Sequence, residues 1–391
     1  MKKLLLLLVV CIFPFFLLSF RNISVPPGVN GDESGIAYNA VLISRNLRDE
    51  NNHFLPLFIF AKTSDWKQPV TVYTTALVFR LFGPSLANLR DTSVLFVIIS
   101  IVIFYFLAEE MFDFKFFVVG FLVLITVPII MIQSHLALEN IAVLPFIFFW
   151  ILMLAKNKKA SRPAYLFLAG ASLGIGIFSY LAMRIVVPVL SLITLVYLRK
   201  NFKKILYFLL GLTPFLILLC FAYFRYPGAV LGHYSAPIPS VNEFLLRYLS
   251  TFDLSFLFMK GDSFVVHSTG KAGMFLVATL PIFLIGIWKM IKNKKPFEIL
   301  ILSSFFLTPI MFGFVPDIYR ASRLLALIPF YVIISTIGFL AVPRKFGLAI
   351  VVLMLANYLY FAQDYWFKYP ARVDQVFPIK ISYYNNDFTK K

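Results

Sequence analysis

Apolar runs close to the roughly 20-residue length that carries a helix across a bilayer recur along this chain from residue 4 to residue 362. They leave no stretch long enough for a soluble domain, so the 391 residues are expected to form one integral-membrane domain. Composition agrees: 60% of residues are hydrophobic and the mean hydropathy is +0.87, well above the roughly 45–50% apolar usage of soluble domains. The expected fold is all-α, with about 11 transmembrane helices at 4–20, 91–108, 116–133, 139–155, 163–180, 184–198, 204–222, 272–289, 297–314, 322–341 and 346–362. Met1-Lys2-Lys3 starts the first run and no small-x-small cleavage site follows it, which reads as an uncleaved helix rather than a removed signal.

The net charge of +18 would suggest nucleic acid in a soluble protein, but the cations sit in short loops between apolar runs, as orientation signals do. The loops at 156–162, 199–204, 289–295 and 344–345 define a cytoplasmic side, together with the N-terminus. With no RNA- or DNA-binding motif present, the expected surroundings are a lipid bilayer and no nucleic acid. A multi-pass protein of the cell (inner or plasma) membrane follows. The opposite, external or periplasmic side receives a first loop at 21–90, a long loop at 223–271, and a short tail at 363–391. Within the first loop, 34–46 and 70–82 read as helices lying along the interface, with Trp66 and Tyr73 as anchors. Domain boundaries are therefore 1–362 for the membrane domain and 363–391 for the tail. Cys11 and Cys220 lie within apolar runs and offer neither a disulfide nor a metal site.

Most polar residues with chemical potential share that external face. Asn30-Gly31-Asp32-Glu33-Ser34-Gly35 sets two adjacent carboxylates in a turn just after the first run. Asp32 is a candidate catalytic base; equally, Asp32 or Glu33 is a candidate cap for the helix that follows, and both can hold. Glu139 stands at the junction of two apolar runs, as a second acid or as a helix cap. Arg184 ends another run, where its planar fork suits a phosphate and snorkelling to headgroups is the alternative. The long loop holds Asp262 and His267. Arg320 and Arg323, three residues apart, face one way on a helix and could hold a phosphate. Absent are a Walker loop, a dinucleotide-binding glycine pattern, zinc-ligand spacing and a serine elbow, which argues against ATP use, hydride transfer and metalloproteolysis.

These segments resemble the GT-C class of polytopic glycosyltransferases, and most nearly the bacterial members of glycosyltransferase family 39, which are similar to protein O-mannosyltransferases and to the lipid A aminoarabinose transferase. The resemblance rests on the 30–40 turn, Arg48-Asp49-Glu50, Phe54-Leu55-Pro56-Leu57, Leu81-Phe82-Gly83-Pro84, Leu89-Arg90, the 134–140 segment, Ser179-Tyr180 with Arg184, Gly261-Asp262 with His267, and Ala321-Ser322-Arg323. It implies a GT-C bundle that transfers a hexosyl or pentosyl unit from a polyprenyl-phosphate donor to a lipid, polysaccharide or protein acceptor on the external face. Asp32 would then be the base, Glu33 and Glu139 would shape the site, and Arg184, Arg320 and Arg323 would hold the carrier phosphate. Tyr38, Lys67, His135, Tyr180, Asp262 and His267 are further substrate-contact candidates. His135 stands where the family has arginine, and Lys67-Gln68-Pro69 replaces a proline-rich run. A magnesium or manganese ion between Asp32 and Glu139 is compatible with this chemistry, although no spacing demands one. A transporter or flippase of lipid-linked sugars is the alternative class, and it predicts ionisable residues near the bilayer midplane.

Overall fold

The computed structural model describes residues 2–62, 65–232, 238–377 and 379–380. Helix α1 (Lys2–Ser19) leads through strand β1 (Gly28–Val29) into α2 (Gly31–Asn46). A hairpin of β2 (Ile59–Ala61) and β3 (Asp65–Lys67) precedes α3 (Pro69–Phe82), α4 (Leu86–Met111), α5 (Phe114–Ile125) and α6 (Pro128–Ser134). A 3-10 turn at Glu139–Val143 opens α7 (Leu144–Ala160), followed by α8 (Pro163–Gly176), α9 (Met183–Leu198), α10 (Phe202–Arg225), α11 (Pro227–Leu231) and α12 (Val241–Ser250). The last stretch holds α13 (Leu280–Asn293), α14 (Pro296–Leu307), α15 (Ile328–Phe339), α16 (Arg344–Gln363), α17 (Tyr369–Val373) and β4 (Ile379–Lys380), with 3-10 helices at Thr308–Phe314 and Ala321–Leu327.

Among the described residues, six helical stretches are long and apolar enough to cross a bilayer: Leu86–Met111, Glu139–Ala160, Phe202–Arg225, Pro296–Phe314, Ala321–Phe339 and Arg344–Val376. Helices α5 and α6 reach that length and apolarity only as a pair, bent by 63° at their junction. Pro128 explains the break: its ring excludes the helical conformation from Val127, which is extended at φ −68°, ψ 115°. Helix length does not establish the expected count of about 11. The stretches Pro163–Gly176 and Met183–Leu198 are apolar but shorter, because hydropathy sums side chains and does not register where proline or a turn ends the helix.

The amphipathic first loop folds back onto the bundle. Tyr73 donates its hydroxyl to the Pro56 carbonyl at 2.8 Å, and Trp66 packs on Phe60 and Tyr226 at centroid distances of 5.0 and 5.7 Å. Both expected interfacial anchors therefore pack against protein. The tail is tied in as well: β4 pairs antiparallel with β1, Gly28 opposite Lys380 and Val29 opposite Ile379.

The two ends of the bundle differ in charge. Glu110 at the end of α4 lies 3.7 Å from Lys156 and 3.4 Å from Lys159 at the end of α7. Lys158 sits over the Phe297 ring of α14, and that ring meets Tyr197 of α9 edge-on. The basic loops after α7 and α9 and before α14 thus gather at one end.

Helices α8 and α10 approach at backbone contact, as small residues permit where helices lack a hydrophobic drive to associate. A Cβ on Gly170 would strike the Phe208 carbonyl oxygen, and one on Gly211 would strike that of Phe167. Gly170→Val is accordingly expected to destabilise the purified protein by at least the ~1–3 kcal/mol of an overpacked core. An unchanged thermal unfolding midpoint would show that the two helices do not pack this closely.

Candidate functional site

The acidic turn after α1 is the first turn of α2. Asn30 is its N-cap: the Asn30 side chain accepts from the Glu33 backbone N–H at 2.9 Å, and Glu33 accepts from the Asn30 N–H at 3.2 Å, a capping box. The helix therefore begins at Gly31 rather than Ser34, and Asp32 is not its cap. Glu33 is fully buried and paired with the equally buried Arg90, whose Nε lies 3.0 Å from Oε1. Arg90 also donates to the carbonyls of Asn22 and Gly28 at 2.6 Å each, and Glu33 accepts the Ala137 N–H at 3.1 Å. This network welds the start of α2 to α4 and to the segment before Glu139.

One residue earlier, the outcome is opposite. The Asp32 carboxylate is 59% exposed and is held at 2.5 Å by Lys67, whose own side chain is only 3% exposed. The β2–β3 hairpin delivers Lys67 to this position, and Lys67 also pairs with Asp65 at 3.1 Å. Burial pulls the Lys67 ammonium down, but the carboxylates of Asp32 and Asp65, helped by Glu139, outweigh it and leave its pKa above the ordinary value. Lys67 therefore stays charged at neutral pH. The next residue, Gln68, donates its backbone N–H to Glu139 Oε1 at 2.5 Å, so Glu139 is fixed by the main chain while facing the same space.

The third wall comes from the far part of the chain. Asp262 accepts from the Phe264 N–H at 2.8 Å and the Ser322 N–H at 3.2 Å, and Arg320 lies 3.8 Å from it. Arg320 and Arg323 both reach Asp317, at 4.0 and 3.3 Å. Their three-residue spacing falls at the start of the 3-10 helix Ala321–Leu327, where i and i+3 lie on one side. Nε of Arg320 and Nη1 of Arg323 are buried without a hydrogen-bond partner among the described residues. Asn140 bridges this wall to the second by donating to the Ser322 carbonyl at 2.8 Å. His267 contacts Gln133 at 2.9 Å. Burial, and then the nearby Arg320, pull its pKa down to about 4, so it is neutral at pH 7.

These walls enclose a cleft of ≈ 390 Å³. Of the candidates from sequence, Asp32, Lys67, Glu139, Tyr180, His267, Arg320 and Arg323 line it. Five others do not. Glu33 is locked in its pair with Arg90, and Tyr38 is exposed further along α2. His135 is buried against Tyr365, with ring centroids 5.3 Å apart. Asp262 acts behind the lining as an anchor for the 321–322 backbone. Arg184 donates to the Ala229 and Val230 carbonyls and to Gln68 Oε1, all at 2.6 Å, so its fork positions the neighbour of Glu139 and the α11 turn. Sequence reasoning passed over Asp65, Gln68 and Phe264, which also line the cleft. The one signal for Asp65 and Gln68 is their place beside Lys67: Asp65 opens the second of two short β-forming stretches that make a hairpin, and Gln68 directly follows it.

The cleft does not suit the divalent cation considered between Asp32 and Glu139. The Lys67 ammonium already bridges Asp32 and Asp65, and no three His, Cys, Asp or Glu side chains converge on a metal position among the described residues.

With an amphipathic first loop folded over one end of a helical bundle, and acids and guanidinium groups meeting in a cleft beneath it, the chain resembles the GT-C class of glycosyltransferases. The family described as dolichyl-phosphate-mannose-protein mannosyltransferase matches residues 66–224. Among solved structures, ArnT from Cupriavidus metallidurans bound to undecaprenyl phosphate superposes with a TM-score of 0.61 at 14% identity, over 88% of this chain and 61% of that one. The apo form of ArnT gives a TM-score of 0.62 at 12% identity, with the same coverage. The oligosaccharyltransferase AglB from Archaeoglobus fulgidus, in complex with an inhibitory peptide and a dolichol-phosphate, gives 0.50 at 13% identity, over 99% of this chain and 60% of that one. The chain thus spans about three-fifths of the length of these structures. No curated protein matches the sequence.

Proposed function

We propose that the protein is a membrane glycosyltransferase that moves a sugar from a polyprenyl-phosphate carrier to an acceptor at the external mouth of the bundle. The carrying observation is that an accessible carboxylate, Asp32, shares one cleft with Arg320 and Arg323, whose guanidinium groups keep unpartnered buried nitrogens. An anion is the ligand those nitrogens lack. The matched family and the carriers bound to ArnT and AglB support a lipid phosphate as that anion.

The reaction is a single displacement. The acceptor's oxygen or nitrogen forms a bond to the anomeric carbon, the carbon–oxygen bond to phosphate breaks, and the carrier phosphate leaves with the electron pair. The acceptor's proton passes to Asp32. Attack opposite the leaving group inverts the anomeric centre. The departing phosphate gains a negative charge, so the cations of the cleft bind it more strongly in the transition state than in the donor. Phosphate needs no proton to leave, which accounts for a site with a base and cations but a neutral imidazole. Among the three acids of the cleft, Asp32 is the best base: it is the most open, whereas backbone N–H groups already occupy Glu139 and Asp65. On arrival of the donor, Lys67 can exchange a carboxylate partner for the phosphate, freeing Asp32 to accept the proton.

The test is to incubate purified protein with a panel of polyprenyl-phosphate sugars and an acceptor mixture and to measure release of the bare carrier. Failure to release it from any donor would remove the proposal. Arg323→Ala is expected to raise the donor KM about 10–100-fold, the ~1.5–3 kcal/mol of a hydrogen bond to a charged group. An unchanged KM would take Arg323 off the phosphate. Arg184→Ala is expected to lower kcat through displaced Gln68 and Glu139, and an effect confined to donor KM would instead favour direct phosphate contact.

A further inference from the structure

We propose that a groove between α9 and α14, at the end of the bundle away from the cleft, is a binding site for an anionic phospholipid. Arg184 opens α9 beside Gln68 of the cleft and Arg199 follows its last residue. Fifteen residues at 1.5 Å rise separate the two by roughly 22 Å, so this groove is distinct from the cleft. It measures ≈ 590 Å³. Its walls are apolar, with Leu192, Val196, Ile299 and Leu307 all exposed on them. Its mouth carries Arg199 and Lys200, both exposed and neither ion-paired among the described residues.

The combination selects the ligand. Apolar walls within a membrane-spanning region are covered by acyl chains, and any lipid would serve for that. Two adjacent cations at one end of those walls select a headgroup with net negative charge, because a phosphate can accept from the guanidinium fork and the ammonium together. A zwitterionic lipid would bring its own cation against them. The charge of the surroundings points the same way in Lys158, which packs over Phe297 beside the groove, while Lys295, the N-cap of α14, is already paired with Glu298 at 3.5 Å.

The test uses the full-length protein in nanodiscs of phosphatidylcholine containing a trace of photoactivatable phosphatidylglycerol. Crosslinks are expected within residues 192–200 and 296–307, and unlabelled phosphatidylglycerol should compete while phosphatidylcholine should not. Arg199→Ala with Lys200→Ala is expected to reduce the preference for phosphatidylglycerol roughly 30-fold, at about 1 kcal/mol for each cation. Both side chains are exposed, so the double variant should keep its melting temperature. Lys292→Ala removes a cation from α13, outside the groove lining, and should leave labelling unchanged. Equal labelling by a phosphatidylcholine probe, labelling that survives the double replacement, or crosslinks between two copies of the chain at these segments would each overturn the proposal.

Discussion

Asp32→Asn is expected to lower sugar transfer by about 10²–10⁴-fold, the usual contribution of a general base, while the protein remains folded. The geometry separates the two effects. The start of α2 is secured by Asn30 and Glu33, not by Asp32, and Lys67 keeps its second partner in Asp65 when the charge at position 32 is removed. An exposed side chain replaced by its isostere away from caps and core changes stability by roughly 0.5 kcal/mol or less. Carrier release and the thermal midpoint should therefore be measured on the same preparation. Wild-type turnover in the variant would transfer the role of base to Glu139 or abolish it.

Arg90→Ala should give the opposite signature: the fold fails first and activity follows it. Arg90 and Glu33 are both completely buried, and the guanidinium donates to two main-chain carbonyls as well as to the carboxylate. Removing one partner of such a pair leaves an uncompensated buried charge, at a cost of about 3–5 kcal/mol. The loss should appear as a large fall in thermal midpoint or in the fraction extracted as a monodisperse species. Glu33→Gln, which keeps the shape and part of the hydrogen bonding, should be milder. A variant at Arg90 with wild-type stability and no turnover would return that pair to the chemistry. Glu33 and Asp32 are adjacent in sequence, yet one is expected to matter to folding and the other to catalysis. The difference is one of direction on the helix: a step of one residue rotates a side chain by about 100°.

That difference marks how far the chain could be read without its fold. Asp32, Glu139, Arg320 and Arg323 stand out because an ionisable residue at the edge of an apolar run is costly to bury and needs a reason. What surrounds them is not local. Lys67 meets Asp32 across 35 residues, Gln68 meets Glu139 across 71, and Asn140 meets Ser322 across 182. Arg184 shows the limit in the other direction, since its position at a span end suited a phosphate, yet its fork is taken up by two carbonyls and Gln68. The acidic end of α4 is likewise explained only by the fold, which pairs Glu110 with Lys156 and Lys159 of α7.

The amino-acid order alone determined a helical membrane architecture, with basic loops at one end and an acidic turn after the first helix. Hydropathy and charge are properties of runs, and the bilayer acts on runs. Only the tertiary structure decided which acid of the turn is open, which arginines line the cleft and where the helices break. Those outcomes depend on helix rotation, on proline-induced ends and on contacts between segments far apart in the chain, and no local pattern specifies them.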